Sequence, residues 1–155
     1  VGGFALACAR SGFPRVTGVE VSPGAISSAI SAARHAGLSR GAATFIADDA
    51  TAWARAQAPK DVPDVIVVNP PRRGIGADLA AYLNECDAPR VIYSSCNPAS
   101  LAKDLTSMPR LFPVEGRVFD MFPHTTHVEA ALLLERASVA PIARPTPASD
   151  RYNWT

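Results

Sequence analysis

The chain has 155 residues, 48% of them hydrophobic and 19% charged, a composition of water-soluble globular domains that excludes a disordered polymer. No apolar run approaches the ~18 residues of a membrane span, and the formal net charge of +1 excludes a uniformly basic nucleic-acid coat. Only Lys60 and Lys103 among the 15 cations are lysine, leaving 13 arginines, the residue suited to forked contacts with phosphate and bases.

Val1-Gly2-Gly3-Phe4 opens the chain without a secretory pattern, and no strand precedes the glycine pair. We therefore expect a piece of a longer protein. Residues 4–10 read as a short apolar helix and residues 15–21 as a strand carrying Glu20. Ser22-Pro23 is a helix start, serine as cap and proline in the first turn, and Gly37 is its stop. A strand is expected at 43–47, a helix at 51–57 and a loop at 59–63. The continuous apolar run at 64–68 fits a strand covered on both faces. A helix over 77–85, a strand over 90–94 and a helix begun by Asn97-Pro98 follow. Extended segments are expected at 114–119 and 130–135, and residues 137–155 form a proline-rich, loose tail behind a domain of 1–136.

Strands alternating with helices predict a doubly wound α/β fold. Its sheet should be mostly parallel, with an antiparallel hairpin at the C-terminal edge. No internal repeat is visible.

In such sheets, ligands bind beyond the carboxyl ends of the strands, and polar residues stand at those ends here. Glu20 suits the diol of a ribose, in a nicotinamide or an S-adenosylmethionine cofactor alike; a plain surface acid is the other reading. Gly2-Gly3 supply a turn beside it. Asp48 is placed either for an adenine amino group or for capping the next helix. Asn69-Pro70-Pro71-Arg72-Arg73-Gly74 is a stiffened turn. There Asn69 can donate and accept, while Arg72 and Arg73 can hold phosphate or stay solvated.

Ser95-Cys96-Asn97-Pro98 places a thiol where a strand gives way to a helix, a position that favours a thiolate nucleophile. Cys8 and Cys86 read as buried small hydrophobes. Three scattered cysteines make neither a disulfide framework nor a metal site, and fit a reducing cytoplasm. His124 and His127 lack the further ligands a metal needs, so no metal is expected. Glu129, just before the strand at 130–134, is either a base facing Cys96 or a salt-bridged edge acid.

Taken in order, five blocks resemble the class I S-adenosylmethionine-dependent RNA (uracil-5-)-methyltransferases. They are Val1-Gly2-Gly3-Phe4, Gly18-Val19-Glu20, Asn69-Pro70-Pro71-Arg72-Arg73-Gly74-Ile75-Gly76, Tyr93-Ser94-Ser95-Cys96-Asn97, and Asp120 to Glu129 with Phe122-Pro123-His124 inside it. Asparagine before Pro-Pro-Arg-Arg, where many members carry aspartate, is similar to the subgroup that methylates a uridine of 23S ribosomal RNA. The resemblance implies a Rossmann-like methyltransferase sheet whose first strand is missing here. It implies Cys96 as nucleophile and Glu129 as general base. Gly2, Gly3, Glu20, Asp48 and Asn69 would then surround S-adenosylmethionine, while Arg72, Arg73 and His124 would contact the RNA. Some relatives hold an iron–sulfur cluster in an upstream segment, on which these residues are silent. No protein partner and no membrane are implied. Without its central first strand, the piece by itself is expected to be poorly stable and inactive.

Four other readings compete. An RNA cytosine-5 methyltransferase would share the Ser-Cys turn but carry Pro-Cys in the loop that reads Pro70-Pro71-Arg72 here. An amino-group methyltransferase would have an aromatic residue in place of Arg72. A nicotinamide oxidoreductase gives Cys96 and Glu129 no role. A non-catalytic Rossmann-type binding module sits poorly with the low net charge.

Overall fold

The computed structural model describes residues 2–39, 41–58, 61–121, 124–125 and 127–136. The expected tail and Val1 lie outside these. Eleven elements occur among the described residues: α1 (Gly3–Arg10), β1 (Thr17–Glu20), α2 (Pro23–His35), β2 (Thr44–Ala47), α3 (Ala50–Arg55), β3 (Val65–Val68), α4 (Gly76–Glu85), β4 (Arg90–Ser95), α5 (Pro98–Thr106), β5 (Leu111–Phe119) and β6 (Glu129–Arg136).

Local chemistry sets many of these bounds. Ser22 Oγ accepts from the Ala25 amide with Pro23 behind it, and Asn97 Oδ1 accepts from the Ala99 amide with Pro98 behind it. Both satisfy amides that an opening helical turn would otherwise leave free. At the far end of α2, Gly37 takes φ +69°, its amide reaching the Arg34 carbonyl and that of Leu38 reaching Ala33. This pair of bonds is a Schellman stop, and the left-handed residue is the expected glycine.

The strands form two sheets. β1 and β2 pair in parallel, Glu20 opposite Ala47. The second sheet has the order β3-β4-β6-β5, parallel between β3 and β4 and antiparallel elsewhere. The α/β class is as expected, and the hairpin is present in a particular arrangement: its second strand, β6, is inserted beside β4, and β5 becomes the edge. That insertion brings the start of β6 to the carboxyl end of β4, because the two run in opposite directions.

β5 begins at Leu111, three residues earlier than expected. Pro113 reads as a strand breaker, but an edge strand can leave one side unpaired, and the ladder shifts between Pro113 and Glu115 as a bulge. The core lies where α4 and α5 pack on β4 and β6: Leu83, Val91, Tyr93 and Leu134 are fully enclosed, with Ala80, Leu101 and Met108 around them. Each large aliphatic side chain buried there contributes about 1.5–3 kcal/mol.

One cation is anchored in this core. Arg136 is 7% exposed, and its guanidinium donates to the carbonyls of Leu83, Asn84 and Ala88. These cluster at the C-terminus of α4, where unpaired carbonyls and the helix dipole both favour a positive charge. Cys86, expected to be buried, is half-buried and in contact with the same guanidinium at 3.7 Å; Cys8 is half-buried too.

Candidate active site

Strand pairing decides what meets at the carboxyl end of the second sheet. Val68 of β3 lies opposite Tyr93 of β4, so Asn69 follows directly beside Ser94. Ser94 lies opposite Ala131 and Ser95 opposite Ala130. Cys96 follows Ser95 just beyond the end of β4, and Glu129 is the first residue of β6. Residues two apart on a strand share a face, so Ser94, its partner Ala131 and Glu129 belong to one side.

The hydrogen bonds agree with this placement. Glu129 Oε1 accepts from Ser94 Oγ at 2.5 Å and from Asn69 Nδ2 at 3.4 Å, and Asn69 Nδ2 also donates to the Ser94 carbonyl at 3.3 Å. Among the described residues Glu129 is met by a hydroxyl and an amide, and no cation lies within salt-bridge distance of it. Cys96, two residues after Ser94, is a half-buried free thiol. The turn around it is tightly bonded: Ser95 Oγ accepts from the Asn97 amide, and Ser100 Oγ donates to the Asn97 carbonyl.

The Pro-Pro-Arg-Arg loop is fastened to α5 at two points. Asn97 Nδ2 donates to the Arg72 carbonyl at 2.9 Å, and the Ile75 amide donates to Asp104 Oδ2 at 2.9 Å. Asp104 is 8% exposed and also accepts from the Tyr93 hydroxyl at 2.5 Å. Burial, and then that carboxylate, raise the Tyr93 pKa far above the ordinary tyrosine value. Gly74 has φ +91°, and a Cβ there would lie 2.4 Å from Asp104 Oδ2, so this position requires glycine on both counts. Arg72 and Arg73 are exposed, with Arg72 Nη2 3.3 Å from His127 Nδ1. Since a guanidinium only donates, that ring nitrogen accepts. His124 is exposed at φ +68°.

The cofactor candidates stand at the ends of the other sheet. Glu20 Oε1 accepts from the Ser22 amide, and the amide of Asp48 donates to the Glu20 carbonyl, so the two acids are neighbours. The capping alternative for Asp48 is corrected by its neighbour: Asp49 immediately precedes α3 and accepts from the Ala52 amide, while Asp48 Oδ1 accepts from the Asp49 amide. Gly2 has φ +74°, and a Cβ on it would come 2.8 Å from the Ala29 Cβ; Gly3 opens α1. A bare glycine turn with two acceptors at adjacent strand ends fits a nucleoside-bearing group. Glu20 is suited to its ribose hydroxyls and Asp48 to an exocyclic amine.

A hollow of about 300 Å³ lies between α3 and α4, lined by Arg55, Tyr82, Glu85 and Cys86 among others. Cys96, Asn69 and Glu129 are not among its lining residues.

Sequence reasoning missed Ser94, Tyr93 and Asp104 as supports of the site. Asp104 left a signal: it falls seven residues after the cap Asn97, on the same helix face as buried Leu101. Ser94 lies two residues before Cys96, near the carboxyl end of β4.

This fold is that of the class I S-adenosylmethionine-dependent methyltransferases. The chain matches magnesium protoporphyrin IX methyltransferase from Synechocystis PCC 6803, solved with bound SAH, at TM-score 0.67 and 13% identity, over 88% of this chain and 69% of that one. It matches Pyrococcus abyssi tRNA (uracil-54, C5)-methyltransferase, solved with S-adenosyl-L-homocysteine, at TM-score 0.72 and 30% identity, over 86% of this chain and 31% of that one. Residues 61–137 match the tRNA (uracil-5-)-methyltransferase family model. The chain is 46% identical to 23S rRNA (uracil(747)-C(5))-methyltransferase RlmC of Pectobacterium atrosepticum, over 88% of this chain and 35% of the relative. It is 47% identical to the RlmC of Halothiobacillus neapolitanus, over 88% and 36%. The chain belongs to the uracil-5-methyltransferase family and spans about a third of the length of these curated relatives.

Proposed function

We propose that the protein carrying this chain methylates carbon 5 of a uridine in 23S ribosomal RNA, with Cys96 as nucleophile and Glu129 as general base. The observation that carries the reading is the meeting of Asn69, the Ser94–Cys96 strand end and Glu129 at one sheet end, set by the β3-β4-β6 register. The names of the 46–47% identical relatives support the choice of ribosomal RNA.

Carbon 5 of uracil is a poor nucleophile. The Cys96 thiolate adds to carbon 6, the displaced π electrons move toward oxygen 4, and carbon 5 gains electron density. S-adenosylmethionine, when bound, supplies the electrophilic methyl group that this carbon takes. Glu129 then accepts the proton from carbon 5. The freed electron pair restores the ring double bond, and the carbon 6–sulfur bond breaks with its pair returning to Cys96.

Glu20 and Asp48 would hold ribose and adenine, with the turn at Gly2 and Gly3 beside them and Asn69 lining the pocket. Arg72, Arg73 and His124 are exposed and would be available to the RNA. The target base must leave its stack at a cost of a few kcal/mol, which is lowest in a loop.

Replacing Cys96 by alanine in the complete protein tests the reading. Uracil methylation and the covalent RNA adduct should both vanish, while S-adenosylmethionine binding persists. Unchanged turnover would refute the thiol mechanism. A cytosine product in place of methyluridine would favour the cytosine-5 alternative.

A further inference from the structure

Three groups in the Glu129 cluster have fixed hydrogen-bonding roles. The Ser94 backbone carbonyl can only accept, so the Asn69 atom facing it must be the amide nitrogen. That same nitrogen faces Glu129 Oε1, so Oε1 is an acceptor, and the Ser94 hydroxyl at 2.5 Å donates to it as well. Both donors land on one carboxylate oxygen. The other oxygen has no bond to a described residue, so it is the one left to receive a proton.

Ser94 is 3% exposed and fixed in the β4–β6 ladder opposite Ala131. Its hydroxyl has no other partner among the described residues. A buried hydroxyl on a rigid central strand is a firmer anchor than Asn69, which is exposed and reaches the same oxygen at the longer distance.

We propose that Ser94 is the positioning residue for Glu129, holding Oε1 so that the second oxygen faces carbon 5 of the target base. This deepens the preceding section and rests on its assignment of Cys96 and Glu129. The step that needs this alignment is removal of the carbon 5 proton, after the methyl group has moved and before the sulfur leaves. Loss of the Ser94 hydroxyl should therefore spare methyl transfer and stall release.

The test compares Ser94→Thr with Ser94→Val in the complete protein, a pair of matched shape that differs in the hydroxyl. Ser94→Ala serves as a smaller third variant should the branched pair not fold. Probes are a 23S ribosomal RNA hairpin and S-adenosylmethionine labelled in its methyl group. For Ser94→Val we expect kcat to fall about 10- to 100-fold, the scale of a misplaced catalytic group, with kcat/KM for both substrates unchanged, so that both KM values fall in proportion. Methyl-labelled protein–RNA adduct should accumulate on denaturing gels, and Ser94→Thr should restore turnover and clear it.

Equal turnover in the two variants overturns the proposal. So does a fall in the single-turnover rate of methyl transfer that matches the fall in kcat, because the fault would then precede the Glu129 step. The Cys96→Ala experiment separates the two levels. If it abolishes methylation while Ser94→Val is neutral, only the role of Ser94 is lost; if it leaves methylation intact, the underlying mechanism itself is refuted.

Discussion

Among the described residues from 2 to 58, only Ile26 and Ala29 are buried, whereas the connected core lies wholly between Ala80 and Leu134. The first region carries the cofactor candidates Gly2, Gly3, Glu20 and Asp48; the second carries Cys96 and Glu129. Among the described residues of this piece, β1 pairs with β2 and β3 with β4, and no strand present joins the two sheets. In this piece Cys96 thus follows a tightly packed strand, and Glu20 and Asp48 stand on a thinly packed pair. Regions with few buried contacts open at low free energy. If a ligand is held at Glu20 and Asp48 as proposed, it should stabilise the first region of this piece more than the second.

The contrast is broken most severely at Leu134, which is completely enclosed. Leu134→Ala should cost about 2–5 kcal/mol in urea unfolding of the complete protein. A loss below ~1 kcal/mol would mean the second region is not the stable one.

Tyr93 comes next. Its pKa is raised by burial and by Asp104, so the folded state holds its phenolic proton more tightly than the unfolded state. The stability this contributes is fully present below the ordinary tyrosine pKa near 10 and is lost as pH rises through the higher folded value. Wild-type stability should fall on the alkaline side, and Tyr93→Phe should flatten that limb. The same change should remove about 1.5–3 kcal/mol at neutral pH, the scale for a hydrogen bond to a charged group.

Ser22 gives the smallest effect. Ser22→Ala removes the α2 cap and should cost about 1 kcal/mol. Its sharper readout is local: amide exchange should quicken in α2 and leave β4 and β6 unchanged. Equal acceleration throughout would show that the two regions open as one.

These predictions also mark what could be read from residue order. Ser22, Pro23, Gly37, Asn97 and Pro98 act on amides and carbonyls within a few positions, so the bounds of α2 and α5 were visible as text. The start of β5 was hidden because a proline is tolerable only on an edge, and edge status comes from the insertion of β6, a pairing across many residues. The placement of Cys96, Asn69 and Glu129 at strand ends followed from alternation and spacing. Their supports did not. Ser94 reaches Glu129 across 35 positions, and Arg136 reaches Leu83 across 53. Neither bond has a local signature, since a serine on a strand and an arginine at its end are ordinary surface choices until the partner is known. Asp48 shows the reverse case, two adjacent acids of which only the geometry tells the cap from its neighbour.

The loop bearing Arg72 and Arg73 is stiffened by two prolines and fastened to α5 through Asn97 and Asp104, with glycine enforced at 74. Whatever docks on those guanidinium groups meets a finished mould. Affinity there is set by shape match and by the salt concentration of the medium, with little entropy spent on arranging the loop around its guest.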